Sequence, residues 1–398
     1  MSTLRVEPAT RARILERPAA SVLERVLAQL EDGALEVTLP NGAVRSFGHG
    51  PTVRLAIHSP AFFRRLATRG KLGLGESYTA GEWDAEDLVA FFELLLANGA
   101  RAAERHPRLR RLMEARPRLR TRNGLLRARR NIAYHYDLGN ELFELMLDET
   151  MTYSCAVFDH PGVDLAEAQR AKYDLICRDL ALGPDDHVLE IGCGWGGFAH
   201  HAASRYGCRV TGLTISREQA RAARARTADL PVEILELDYR RVGGRYTKVV
   251  SIEMLEAIGE AQFGTYFETI DRVLAPGGRA VVQTILIPDQ RWDRYRATPD
   301  WIERYVFPGC LIPSLEALTT AATRHSRLGV YGVREIGEHY AETLKRWRAN
   351  VHASIDEVRE LGYDRRFERT WDFYLAFCEA AFRRRALRDV HLLLARSG

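Results

Sequence analysis

The chain has 398 residues and a formal net charge of +4, enough length for two or three domains, each with a real core. Its composition is that of an ordinary globular protein, and no apolar run is long enough to span a bilayer. Residues 1–8 lack the apolar stretch of a secretory signal, and six scattered cysteines without metal-ligand spacing suit a reducing cytoplasm, so a cytoplasmic protein with no metal site is expected.

In chain order, residues 11–32 carry apolar side chains at helical spacing. Residues 35–39 alternate as a strand, Asn41-Gly42 turns the chain, and 44–47 return, the strongest short signal for a hairpin. Residues 53–57 predict a further strand, Ser59-Pro60 opens a helix to Arg69, and 88–97 read as an apolar helix. Residues 101–130 then hold twelve arginines against Glu104 and Glu114, with Pro107 and Pro117 as breaks. A solvated basic linker explains this stretch as well as a surface for phosphates does. Anionic lipid headgroups attract such segments. The lack of aromatics to stack bases makes nucleic acid an improbable partner. Residues 1–115 are therefore expected to form a small α+β domain docking on lipid, 116–130 a basic linker, and 131–398 the catalytic domain.

Beyond residue 131, helix 165–182 leads into alternating strands and helices, with strands at 187–191, 209–213, 232–237, 248–252 and 279–285. Apolar strands separated by helices mean a parallel α/β sheet, whose ligands bind at the strand C-termini. That rule brings 192–197, Thr214, Asp238, 253–256 and 283–285 to one rim.

The densest signal is the strand 187–191 followed by Gly192, Gly194, Gly196 and Gly197 and then a helix. Glycines let a backbone approach a ligand closely, and a helix N-terminus offers free N–H groups. Gly192, Gly194 and Gly197 satisfy G-x-G-x-x-G, a weak signal alone. A dinucleotide fold wants an acid at the end of the next strand. That strand runs instead into Thr214-Ile215-Ser216, and the acid, Glu190, precedes the first glycine. This arrangement resembles motif I of the S-adenosylmethionine (SAM) methyltransferases.

Further stretches resemble the cyclopropane-fatty-acyl-phospholipid synthase family, which includes the mycolic acid methyltransferases. They are 73–83 (Gly-Leu-Gly-Glu-Ser-Tyr to Gly-Glu-Trp), 135–140 (His-Tyr-Asp-Leu-Gly-Asn), Tyr153-Ser154-Cys155, 190–197, Gly212 to Gln219, Asp238-Tyr239-Arg240, Glu256, 305–313 and Tyr340. The fold implied is a Rossmann-like SAM-dependent α/β methyltransferase domain with helical insertions, preceded by a small α+β domain. The activity implied is methyl transfer from SAM to a cis double bond of an unsaturated phospholipid acyl chain, closing a cyclopropane. Loss of a chain proton instead would give a methylene or methyl-branched product. The donor set carried over is Tyr153, Ser154, Glu190, Gly192, Gly194, Gly196, Thr214, Gln219, Asp238 and Tyr239, with Asp238 expected at the adenine amine. In the family the proton goes to bound bicarbonate, for which the matching positions are Cys155, Glu256, Gln283, Ile285 and Tyr340; Gln283 departs from a family histidine. Glutamine donates a hydrogen bond but carries no proton. Cys378 matches a family cysteine once treated as a nucleophile, though its apolar helical spacing suits packing better. Glu253, three residues before Glu256, has no counterpart in the family pattern. A peripheral position on the inner face of the membrane is implied, and a homodimer is compatible.

Overall fold

A computed structural model describes residues 23–24, 27–105, 139–298 and 300–396. Most of the helix expected at 11–32, and the basic stretch beyond Arg105, lie outside the described residues. The chain divides into two compact units, residues 1–118, 298–301 and 363–384 against 119–297, 302–362 and 385–398.

In the first unit, β1 (Gly33–Thr38) and β2 (Val44–His49) form the expected antiparallel hairpin. Gly42 adopts φ 81°, and the Asn41 side chain accepts from the Ala43 N–H at 3.1 Å. β3 (Thr52–Ile57) pairs parallel with β1, and β4 (Trp83–Ala85) closes the order β2-β1-β3-β4. Helix Ala61–Thr79 bends at Gly70, which leaves the helical region at φ 53°, ψ −129°. The stretch 73–83 that carries part of the family resemblance builds this unit's core. Trp83 is fully buried, its indole N–H donating to the Leu74 carbonyl and the Ser77 hydroxyl.

Residues 363–384, like 298–301, group with the first unit although they lie far along the chain. The cause is the aromatic face of helix Arg365–Arg383. Phe373 and Phe377 meet Phe92 edge-on at 4.9 and 5.4 Å. Arg369 lies over the Tyr78 ring, and the Tyr78 hydroxyl donates to Asp372 at 2.8 Å.

The second unit is built on a sheet of seven strands among the described residues, ordered β10-β11-β9-β8-β5-β6-β7. β5 (His187–Ile191), β6 (Arg209–Thr214), β7 (Val232–Glu236), β8 (Tyr246–Ile252) and β9 (Leu274–Leu286) run parallel, as the alternation of strands and helices predicts. Successive residues serve opposite faces. Val188, Val210, Val250 and Val281 pack with Ile176, Cys177 and Phe198. Leu189, Leu213, Val249 and Val282 pack with Phe263, Phe267 and Ile270. Both faces are covered along the central strands, which are therefore mostly apolar. The sequence reading did not include β10 (Leu328–Glu335) and β11 (Arg388–Arg396), which add antiparallel beside β9. β11 matters for chemistry, because its register sets Asp389 opposite Ile285 and His391 opposite Gln283.

Candidate active site

The glycine turn follows β5 at its C-terminal end. Gly192, Gly194 and Gly196 adopt φ of 86°, 51° and 84°, which side chains other than glycine rarely take. A Cβ at Gly196 would press on Ala223, whereas one at Gly194 would meet no protein atom within 4 Å. Glu190 is buried with its Oε2 lacking a hydrogen-bond partner, and burial pushes its carboxyl up to about 8. Helix Gly197–Tyr206 begins directly after the turn.

The other expected donor residues cluster by element. Thr214, ending β6, donates to the Gln219 side chain at 2.9 Å. Asp238 caps the short 3-10 turn Tyr239–Arg241, and Arg240 holds its two carboxylate oxygens at 2.8 and 2.7 Å. The carboxylate expected at an adenine amine is thus already fixed by a guanidinium from its own turn. Tyr239 is buried against Tyr266. The Tyr153 ring contacts Phe143, Phe307 and Trp347. Trp195, inside the glycine turn, packs on Phe143 and donates to Asn140 at 2.9 Å. Asn140 closes the 135–140 motif, of which residues 135–138 lie outside the described residues. Ser154 faces away from this aromatic group, its hydroxyl accepting from Lys172 at 2.7 Å. SAM fits the rim on two observations: a buried acid with an unpaired oxygen, and a turn whose one face is free of protein atoms.

At the end of β8, next to β5, stands a second constellation. Its centre is Glu253, half-buried and held at φ 48° although it is not glycine. Such a backbone is costly for a side chain and persists only where the surroundings impose it. The Glu253 carboxylate accepts from the Cys155 N–H at 2.8 Å, the Gln283 amide at 2.8 Å and the Tyr340 hydroxyl at 2.6 Å. The Gln283 amide also donates to Asp389 at 2.9 Å, while its oxygen lies 3.3 Å from His391 Nε2. This pattern gives one orientation for the amide, with its NH2 towards the two acids and its oxygen towards an imidazole N–H. Burial pushes His391 down to about 3, so the ring is neutral. Glu256 lies beside this group. Its Oε1 accepts from the Ile285 N–H at 2.6 Å and the Thr284 hydroxyl at 2.9 Å, and its Oε2 is buried without a partner.

Three acids, Glu253, Glu256 and Asp389, share this cluster, and the buried Lys172 acts on Glu253 and Asp389. Burial raises all three acids, and close carboxylates cannot all ionise cheaply. Burial, and then the charge on Glu253, push the Asp389 carboxyl well up. Glu256 is raised to about 7 by burial and then by Glu253. At Glu253, burial raises the carboxyl, and the Tyr340 hydroxyl, the Cys155 N–H and Lys172 oppose that rise. Burial lowers Lys172 to about 8, against the pull of Glu253.

All five residues expected around bicarbonate fall in this cluster: Cys155, Glu256, Gln283, Ile285 and Tyr340. Cys155 enters through its backbone N–H. Its thiol, pushed well up by burial, points at the carbonyls of Ala156 and Ile336. Bicarbonate does not fit the arrangement. Its three expected donors from Cys155, Gln283 and Tyr340 already serve the Glu253 carboxylate. Cys378 belongs to the first unit, half-buried on helix Arg365–Arg383. Sequence reasoning placed Glu253 on the rim without giving it a role, and passed over Lys172, Asp389 and His391. A signal existed for Lys172, the one cation on a helix face that also carries Leu165, Ala168, Gln169, Tyr173 and Ile176. Asp389 and His391 carry none, since the antiparallel return of β11 that positions them has no local cue.

Comparison with known proteins places these features in context. A family model for mycolic acid cyclopropane synthetase matches residues 124–392. Tuberculostearic acid methyltransferase of Mycobacterium tuberculosis is 40% identical over 359 residues, 86% of this chain and 83% of that protein. Cyclopropane-fatty-acyl-phospholipid synthase of Escherichia coli is 37% identical, covering 85% of this chain and 86% of that one. Among solved structures, mycolic acid cyclopropane synthase complexed with SAH and CTAB superposes with a TM-score of 0.63 at 29% identity, covering 67% of this chain and 98% of that chain.

Proposed function

The chain belongs to the mycolic acid cyclopropane synthetase family and is a SAM-dependent methyltransferase of the cyclopropane-fatty-acyl-phospholipid synthase type, and from that premise we propose that it methylates a cis double bond in an unsaturated phospholipid acyl chain and closes a cyclopropane. The observation that carries this reading is the adjacency of two constellations, a glycine turn ending β5 and a carboxyl cluster ending its neighbour β8. An alkene is a weak nucleophile, and its methylation leaves a carbocation that must lose a proton. Such chemistry needs a rigidly held methyl donor beside a base shielded from water.

Tyr153, Ser154, Gly192, Gly194, Thr214, Gln219, Asp238 and Tyr239 would hold SAM, with Glu190 and Gly196 shaping the turn. When bound, SAM supplies an electrophilic methyl group. The protein's own part is to fix the turn, exclude water and accept the proton. A second reading, a methylene or methyl-branched product, is favoured by Gln283 at a family histidine position and by the name of the relative at 40% identity. We also infer that the substrate is met at an anionic membrane surface on its inner face. Support comes from the twelve arginines and two acids of residues 101–130. Among the described ones, Arg101 and Arg105 pair with Glu31.

The test is incubation with methyl-labelled SAM and either vesicles of unsaturated phospholipid or total RNA. Label is expected in the lipid, and label in RNA alone would overturn the reading. Mass spectrometry of the lipid should show a gain of one CH2. Cyclopropyl or vinylidene proton resonances then separate the two products.

A further inference from the structure

We propose that Glu253 is the base of this enzyme, a carboxylate built into the chain that takes the place of bound bicarbonate and receives the proton released in ring closure. The inference rests on the methyl-transfer reading above.

The geometry is that of an anion site already filled. Bicarbonate needs donors for its charged oxygens, and the groups positioned to supply them are the Cys155 N–H, the Gln283 amide and the Tyr340 hydroxyl. All three donate to Glu253 at 2.8, 2.8 and 2.6 Å. A second anion there would lose its donors and face the Glu253 charge. The left-handed backbone at Glu253, φ 48°, turns a side chain into a place where glycine would leave a void. The position is therefore one where a carboxylate is held despite its backbone cost. Gln283 suits this arrangement better than a protonatable histidine would, since it donates to Glu253 and to Asp389 together and is oriented by the neutral His391.

The balance of the reaction is complete with this base. A C–C bond forms between the transferred methyl carbon and one alkene carbon as the donor's C–S bond breaks. The neighbouring alkene carbon is left cationic. A C–H bond of the new methyl group then breaks, its electron pair closes the ring onto that cation, and its proton passes to a Glu253 oxygen. No external base is consumed. Lys172, buried in the same cluster, balances the carboxylate before the transfer.

The experiment compares the full-length wild type with Glu253→Gly and Glu253→Gln in degassed, carbon-dioxide-free buffer, with and without added bicarbonate. Wild-type turnover should be indifferent to bicarbonate. Glu253→Gly should lose about a hundredfold or more in turnover, the scale of a missing general base. It should then recover a large part when bicarbonate enters the vacated donor set. Glu253→Gln, which fills the space without a base, should lose turnover and not recover. Because glycine relieves the left-handed backbone, Glu253→Gly is expected to fold, and bicarbonate should raise its Tm by a few degrees while leaving the wild-type Tm unchanged. Wild-type turnover that collapses without bicarbonate, or Glu253→Gly that works normally without it, would overturn the assignment. If the wild type methylates no unsaturated lipid, the methyl-transfer reading fails. The Tm comparison then still decides whether Glu253 occupies the anion site: equal bicarbonate shifts in wild type and Glu253→Gly would refute it.

Discussion

The glycine turn after β5 and the carboxyl cluster after β8 end neighbouring strands, but they treat their polar groups differently. Around the turn, Glu190 keeps an unpaired buried oxygen, and a Cβ added at Gly194 would meet no protein atom within 4 Å. In the cluster, the donors of Cys155, Gln283 and Tyr340 are all taken up by Glu253. The first region offers an unpaired group that a ligand would complete. The second already contains its anion. The difference teaches that two sites on one rim need not both be read as binding sites. The three donors taken up by Glu253 argue for machinery, while the unpaired oxygens, Glu190 Oε2 at the turn and Glu256 Oε2 beside the cluster, are what a ligand would meet.

The largest effect should come from breaking the turn. Gly194→Val places a β-branched residue at φ 51°, a conformation costing such a side chain about 1–3 kcal/mol, and puts its methyl groups on the open face. Loss of measurable SAM binding by calorimetry is expected, with the fold retained by circular dichroism. Unchanged affinity would move the donor site away from this turn.

Tyr340→Phe breaks the cluster instead. It removes a 2.6 Å donor to the Glu253 carboxylate, an interaction with a charged group worth about 1.5–3 kcal/mol, so turnover should fall roughly ten- to a hundredfold. SAM affinity should stay at the wild-type value. Equal losses in both would mean that the two regions are not separable.

The comparison is sharpened by pH, because each region holds a buried acid. Burial raises Glu256 to about 7, against about 4.3 in an unfolded chain. Between these values the folded state keeps a proton that the unfolded state has lost. Stability therefore falls as pH rises through that window. The groups around Glu256 that bear on it are Glu253, Asp389 and the Ile285 and Thr284 donors. Glu256→Gln keeps an oxygen for those two donors and abolishes the titration. Urea melts at pH 5 and pH 7 should show the wild-type decline reduced by on the order of 2 kcal/mol. A slope that remains belongs to the other groups that burial shifts: Glu190, raised to about 8, Glu253 and Asp389, also raised, and His391, lowered to about 3. An unaltered slope would show that Glu256 does not titrate in this window.

Much of the second unit was legible because its signals are local. The five parallel strands are short apolar runs, and the glycine turn is contiguous from Glu190 to Gly197. The cluster was legible only through resemblance. Its members come from residue 155, helix Leu165–Leu180, the ends of β8 and β9, helix Glu338–Ala353 and β11. No periodicity relates such distant positions. Glu253 was visible three residues from Glu256, but without the fold nothing distinguished a buried anion from a solvated one. The same limit explains residues 363–384: aromatic spacing indicated a buried face, not which partner buries it.

The smallest effect is expected at Cys378, and it tests whether the cluster is complete without a thiol. A nucleophilic cysteine needs a stabilised thiolate in a polar, electropositive setting. Cys378 has the opposite setting. Burial, followed by the charge of Asp300, pushes its thiol far above the usual range. Its neighbour Phe377 packs on Phe92 in the core of the first unit. The chemistry derived above also leaves nothing for a thiolate to do, since the proton goes to a carboxylate and the methyl group passes directly to carbon. Cys378→Ala should therefore keep turnover within about twofold, the range of a substitution outside any named mechanism. Its thermal unfolding should shift only as far as lost packing requires. A hundredfold loss of turnover with an unchanged melting temperature would assign Cys378 a chemical role and add a member to the machinery of the β8 cluster.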